Sequence, residues 1–147
     1  VVIGVGIDII EIERIRKVFE ERGEKFIKKI YTGNELEYSF RFKDPYTHLA
    51  ARFSAKEAYY KAVGFGVIRF GEIETLNLDS GKPVMRLHGQ TREQWESLGS
   101  PGIHLSLSHN NLMGCATVVL EKKEGLDRMS LEDLLKQAEE KFRGKRE

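Results

Sequence analysis

Two carboxylates set in apolar surroundings are the first residues in this chain whose chemistry needs explaining. Asp8 lies in the run Gly6-Ile7-Asp8-Ile9-Ile10. A charged group in a half-buried strand is costly unless something compensates it. Either it faces solvent and pairs with a nearby Lys or Arg, or it serves a ligand. Glu57 lies in Arg52-Phe53-Ser54-Ala55-Lys56-Glu57-Ala58. On a helical wheel it falls about 40° from Phe53 and about 20° from Ala50, inside an apolar stripe. With five alanines, Phe53, Tyr59 and Tyr60 around it, that helix is expected to be apolar nearly all round and buried. Glu57 then needs a cation. One reading is an intrahelical pair with Lys61, four residues on. The other is a hard cation shared with Asp8: magnesium takes one or two protein carboxylates, keeps its waters and completes its octahedron with phosphate oxygens. Lys61 and Arg52 would then face those phosphates as counter-charges.

Other groups read more plainly. His104, Ser106 and Ser108 alternate with Ile103, Leu105 and Leu107, which describes a strand with one hydrophilic face. A Ser–His nucleophile is disfavoured, because no nucleophile elbow and no third member can be picked out. Gly4-Val5-Gly6 lacks the third glycine and following helix of a dinucleotide fingerprint. Gly64-Phe65-Gly66 follows a helix instead of opening one. Cys115, in an apolar strand, is expected to be inert core. Between Arg14 and Lys29, seven basic residues stand against three acidic ones, a local +4. This is either a solvated helix face or a docking patch for an acidic partner.

The elements that must carry these residues follow from pattern. Val1–Ile12 reads as a strand, with Gly4 and Gly6 marking a close approach to the backbone. Helices are predicted over about 13–21, 24–30 and, from a Thr32…Glu35 capping box, 33–41. The longest follows Asp44-Pro45 and runs from about 46 to 63, ended by Gly64. Strands at 73–78 and 83–87 flank Asp79-Ser80-Gly81-Lys82. A surface helix spans about 91–98. A hairpin of strands, 103–109 and 112–120, turns at Asn110-Asn111. Irregular alternation of this kind predicts a single α+β domain, a small antiparallel sheet on a long buried helix.

Composition bounds the function. The chain has 147 residues, a length that favours one domain, and a net charge of +1. That balance excludes a globally basic nucleic-acid binder. One cysteine excludes a disulfide framework or a cysteine-built zinc site. No apolar run approaches the ~20 residues of a membrane span, and Val1–Ile10 lacks the features of a signal peptide, so a cytoplasmic location is expected. Residues 121–147 hold eight acidic and eight basic side chains. They are expected to form a charged extension beyond a core at 1–120. Leu131, Leu134, Leu135, Ala138 and Phe142 make one stripe of an extra C-terminal helix, packed on the core or a neighbouring subunit.

Val5-Gly6-Ile7-Asp8, Arg52-Phe53-Ser54-Ala55-Lys56-Glu57-Ala58 with Lys61, Gly81-Lys82-Pro83 and Leu105-Ser106-Leu107-Ser108-His109 occur in this order. Together, over about residues 2–120, they closely resemble the holo-[acyl-carrier-protein] synthases, the small class of 4'-phosphopantetheinyl transferases. The resemblance implies the phosphopantetheinyl transferase fold. It implies transfer of the phosphopantetheine arm of coenzyme A to a serine of apo acyl carrier protein, releasing adenosine 3',5'-bisphosphate, within fatty acid biosynthesis. It implies magnesium on Asp8 and Glu57, and Lys61 on the pyrophosphate. Arg52 and His104 would lie by the coenzyme A phosphates, and Gly81, Lys82 and Pro83 near the nucleotide. It further implies carrier-protein docking at Arg14, with Arg22 on the same basic stretch, and a homotrimer with sites between subunits. Glu57, His104 or a bound water could serve as general base. Asn110 stands where the family often has threonine or serine, and the tail after about Glu121 is longer than usual. A non-catalytic coenzyme A-binding module is the rival reading; it would not need Asp8, Glu57 and Lys61 together. A trimeric structural protein would leave Glu57 unexplained.

Overall fold

The computed structural model of the chain describes residues 1–123 together with Leu135, Lys136 and Glu140. β1 (Val2–Glu11) opens the fold and leads directly into α1 (Ile12–Glu21). α2 (Glu24–Ile30) and α3 (Gly33–Ser39) follow. Thr32 and Glu35 form the predicted capping box, the Thr32 hydroxyl accepting from Glu35 N and the Glu35 carboxylate from Thr32 N. α4 (Pro45–Val63) starts on an Asp44 cap with proline at its first position. It ends where Gly64 turns left-handed at φ 84°.

β2 (Ile73–Asn77) and β3 (Pro83–Leu87) pair as a separate two-stranded sheet. α5 (Gly89–Ser97) precedes β4 (Gly102–His109) and β5 (Met113–Glu121). The main sheet is antiparallel with the order β1-β5-β4. The antiparallel strands form two small sheets, since β2 and β3 pair only with each other. Among the described residues, no helix is long and apolar enough to cross a membrane. Most of the predicted terminal helix lies outside the described residues. Within it Leu135, Lys136 and Glu140 are helical, and Leu135 of the expected stripe is buried.

One face of the main sheet packs on α4. Gly4 and Gly6 make that contact close: a Cβ on Gly4 would sit 2.1 Å from the Ala62 carbonyl oxygen, and one on Gly6 1.8 Å from that of Ala58. Gly114 likewise meets the Ala51 backbone, at 2.8 Å. The opposing helix surface is correspondingly small: Ala55, Ala58 and Ala62 join Val118 and Leu120 in the main core. A second core under α1 gathers Ile10, Ile12, Ile15, Tyr31 and Leu49. The other sheet face is bare. Val5, Ile7 and Ile9 are 60%, 65% and 62% exposed. Cys115 pairs with Ile9 on this face and is half-buried, so it is not the core cysteine expected from sequence.

α4 is not apolar all round. Arg52 and Lys56 are fully buried on it, together with Glu35 from α3 and Glu74 from β2. The Lys56 ammonium donates to Glu35 (2.7 Å) and to the carbonyls of Phe70 (2.9 Å) and Ile73. Glu74 accepts from Thr32, Asn34, Arg86 and His88. Those donors hold its carboxyl below the usual range even though burial acts the other way. A cleft of about 580 Å³, lined in part by Thr32, Asn34, Glu74, Arg86 and His88, lies over this network and not over Asp8.

Candidate active site

Strand alternation decides where Asp8 points. Gly4, Gly6 and Ile10 share its face, which is the face against α4. Asp8 is therefore held at the junction of β1 and the last turns of α4. There Lys61 Nζ approaches the Asp8 carboxylate at 3.1 Å and donates to the Ile7 carbonyl at 3.0 Å. Lys61 thus reaches across to β1 instead of forming the intrahelical pair with Glu57. Glu57 is half-buried, less than its apolar stripe implied, because it lies at the seam beside Asp8. Burial and the neighbouring Asp8 charge push its carboxyl above the usual range, with Lys61 opposing.

Asp8, Glu57 and Lys61 therefore form one cluster. Its donor set suits a hard dication: two neighbouring carboxylates and no soft ligand. Among the described residues no group of three or more His, Cys, Asp or Glu could hold a metal. Two carboxylates alone would suit only an ion that keeps waters and takes substrate oxygens.

Glu57 carries a prediction of its own. Its raised folded-state pKa means the folded chain binds this proton more tightly than the unfolded chain does. The resulting stabilisation is present at low pH and is lost as pH rises through the folded-state value. Glu57→Gln should therefore raise the metal-free melting temperature near pH 7, by about 1–3 °C, and leave it unchanged near pH 4. Calorimetric melts at the two pH values check this.

Arg52 does not join that cluster. It is nine residues before Lys61, about 180° away around α4. It is buried, donates to the Asn77 side chain and lies 4.2 Å over the Tyr38 ring. Burial lowers its pKa, with Glu35 and Tyr38 opposing. Asn77 in turn donates to the Gly81 carbonyl at 3.0 Å. Arg52 is thereby tied to the exposed turn that carries Gly81 and Lys82 and leads into Pro83. Beside it His48 stacks on Phe42 (centroids 3.9 Å apart) and meets His109 edge-on at 6.0 Å. Burial, Arg52 and His109 lower the His48 pKa, against Asp44.

His104 faces the bare side of the sheet, in the cross-strand row Val5, Val119, His104. It pairs with Glu121 at 2.8 Å. Within one chain it reaches neither cluster. Arg14 and Arg22 are exposed on and just after α1, Arg22 lying 4.9 Å over the Phe26 ring. The predicted residues thus fall into four places: Asp8–Glu57–Lys61, Arg52 with the Gly81 turn, an outward basic helix, and His104 alone on the bare sheet face. Sequence reasoning missed Asn77, which accepts from Arg52, and the His48–His109 pair, whose His48 feels the Arg52 charge.

An α+β enzyme with paired carboxylates and a lysine at a strand–helix seam is the class that this geometry defines. The profile of the 4'-phosphopantetheinyl transferase superfamily matches residues 4–108. A holo-[acyl-carrier-protein] synthase of Solibacter usitatus is 42% identical over 123 residues, covering 82% of this chain and 98% of that one. Another from Maridesulfovibrio salexigens is 44% identical, covering 82% and 99%. Among solved structures, a Bacillus anthracis holo-(acyl-carrier-protein) synthase in complex with CoA (3',5'-ADP) matches with TM-score 0.67 and 38% identity, over 83% of this chain and 98% of that one. The Neisseria meningitidis enzyme matches with TM-score 0.73 and 32% identity, over 83% and 100%. The chain belongs to the 4'-phosphopantetheinyl transferase superfamily, in its holo-[acyl-carrier-protein] synthase branch, and is an enzyme of that kind.

Proposed function

We propose that this chain moves the 4'-phosphopantetheine group of coenzyme A onto a serine hydroxyl of apo acyl carrier protein, in the cytoplasm and in service of fatty acid biosynthesis. The observation that carries the reading is the Asp8–Glu57–Lys61 cluster, held in a chain whose relatives are holo-[acyl-carrier-protein] synthases. Asp8 and Glu57 would hold magnesium, which when bound supplies positive charge to the pyrophosphate oxygens. The serine oxygen attacks the β-phosphorus. The bond to the bridging oxygen breaks, and adenosine 3',5'-bisphosphate leaves with the electron pair. Lys61 places a further positive charge where negative charge gathers on the transferring group. The serine proton would pass to Glu57 or to a water held beside it, the nearest acceptors in the cluster. Arg14 and Arg22 present positive charge to an acidic carrier, and the exposed Gly81-Lys82-Pro83 turn, which Arg52 braces through Asn77, would grip the nucleotide end.

The Asp8–Glu57–Lys61 cluster and the Arg52–Gly81 turn leave α4 about 180° apart, an arrangement that would suit a coenzyme A held between two copies of the chain. A second copy supplies the missing half, and His104 would reach a site only across such a boundary. The bare row Val5, Ile7 and Ile9 supports association through that face. We propose a homotrimer. Ile7→Glu is expected to yield a folded monomer in analytical ultracentrifugation, with transfer down about 10²-fold, since each site loses its second half. An active monomer would contradict the shared site.

The reaction itself is tested by chromatography of the nucleotide product. Adenosine 3',5'-bisphosphate should appear from coenzyme A only when magnesium and apo carrier are both present. Its absence with a competent carrier would overturn the proposal, and binding of coenzyme A without product would favour a non-catalytic module.

A further inference from the structure

The residue next to Glu57 in sequence is fully buried and charged, and the transfer chemistry makes no use of it. Lys56 has no exposed side-chain surface, and neither has its partner Glu35. All three ammonium protons find acceptors, in Glu35, the Phe70 carbonyl and the Ile73 carbonyl. Glu35 also accepts from the backbone of Thr32 at 3.0 Å and of Thr75 at 3.1 Å. One ion pair therefore joins α4 to the start of α3, the turn before β2, and β2 itself. Buried pairs of this kind give little net stability, since apolar residues of equal volume serve about as well. What they supply is direction.

Two other directional contacts of α4, Arg52 on Asn77 and the Ser54 hydroxyl on the Gly114 carbonyl at 3.2 Å, precede Lys56, and the half of the helix that carries the cluster meets the sheet through small residues. Its sheet-facing surface is made of Ala58 and Ala62 against Gly4 and Gly6, a smooth contact that sets distance well and rotation poorly. Successive helical residues differ by about 100°. Fixing Lys56 toward Glu35 therefore fixes Glu57 toward Asp8 and, one turn on, Lys61 toward β1. We propose that Lys56, through Glu35, is a positioning residue that sets the rotation of α4 and so the geometry of the Asp8–Glu57–Lys61 cluster. The inference rests on that cluster being the transfer site.

The test replaces the pair with apolar groups, Glu35→Leu with Lys56→Met. The double variant is expected to fold, with a melting temperature within a few degrees of the parent chain. Its kcat is expected to fall about 10- to 100-fold while KM for the carrier, set on α1, is unchanged. In calorimetry, the gain in coenzyme A affinity on adding magnesium should shrink by the same order. A folded double variant with unchanged kcat and an unchanged magnesium effect would overturn the proposal and leave the transfer reaction standing. If the parent chain itself transfers nothing, it is the proposed function that fails. Should the double variant not fold, Glu35→Gln decides: a several-fold fall in kcat supports the clamp, and an unchanged kcat overturns it.

Discussion

Asp8→Asn is expected to lower the magnesium-dependent transfer rate by about 10²–10³-fold while the fold survives. The substitution keeps the size of the side chain and can keep a hydrogen bond with the Ile7–Lys61 corner. It removes one of the two charges that would hold the cation, and a lost electrostatic group at a phosphoryl-transfer centre costs on that scale. Asp8 is partly accessible and its partner Lys61 is half-exposed, so little stability depends on their ion pair. The melting temperature should move by no more than a few degrees. A steady-state assay against magnesium concentration, paired with a thermal melt, checks both halves. Wild-type turnover in Asp8→Asn would remove the metal assignment, and collapse of the fold would show Asp8 to be a structural residue.

Gly6→Ala is expected to do the most damage for the smallest change in chemistry. The added methyl would sit 1.8 Å from the Ala58 carbonyl oxygen and 2.8 Å from Ala62 N, both backbone atoms that no rotamer change can move. The helix must lift from β1. Overpacking of this kind costs about 3 kcal/mol, or about 10 °C in melting temperature for a chain of this size. Lifting α4 also separates Glu57 from Asp8, so transfer should fall about 10²-fold even below the melting transition. Gly33→Ala provides the contrast. Nothing lies within 4 Å of a Cβ there, in the first turn of α3, so it should be neutral or slightly stabilising. Equal effects of the two substitutions would contradict the close-packing account.

Much of the frame was legible because local signals in this chain agree with the fold. The Thr32–Glu35 capping box, the Asp44-Pro45 start and the Gly64 stop are local codes, and up to β5 each expected element appears within a residue or two of its place. Gly4 and Gly6 pointed to a close backbone contact, which is the one with α4. The neighbourhood of Asp8 and Glu57 was suggested by two carboxylates in apolar company. Rotation and register were harder. The wheel that puts Glu57 beside Phe53 also places Arg52 about 140° away, so helix geometry alone separates Arg52 from Glu57. His104 could not be assigned to a sheet side relative to Asp8 without the β1–β5–β4 register. The Glu35–Lys56 pair spans 21 positions in sequence, and no periodicity links two charges that meet only in a folded core. The apolar residues Val5, Ile7 and Ile9 of β1 face outward, which strand alternation alone does not decide.

The central claim is that this chain modifies a carrier protein, and the carrier's own mass tests it most directly. Incubation with coenzyme A, magnesium and a competent apo carrier protein should add one phosphopantetheine to the carrier's conserved-chemistry target, a serine hydroxyl. The gain should vanish with a chelator and with a carrier whose acceptor serine is alanine. A carrier that keeps its apo mass under these conditions, beside a control enzyme that converts it, would contradict the account.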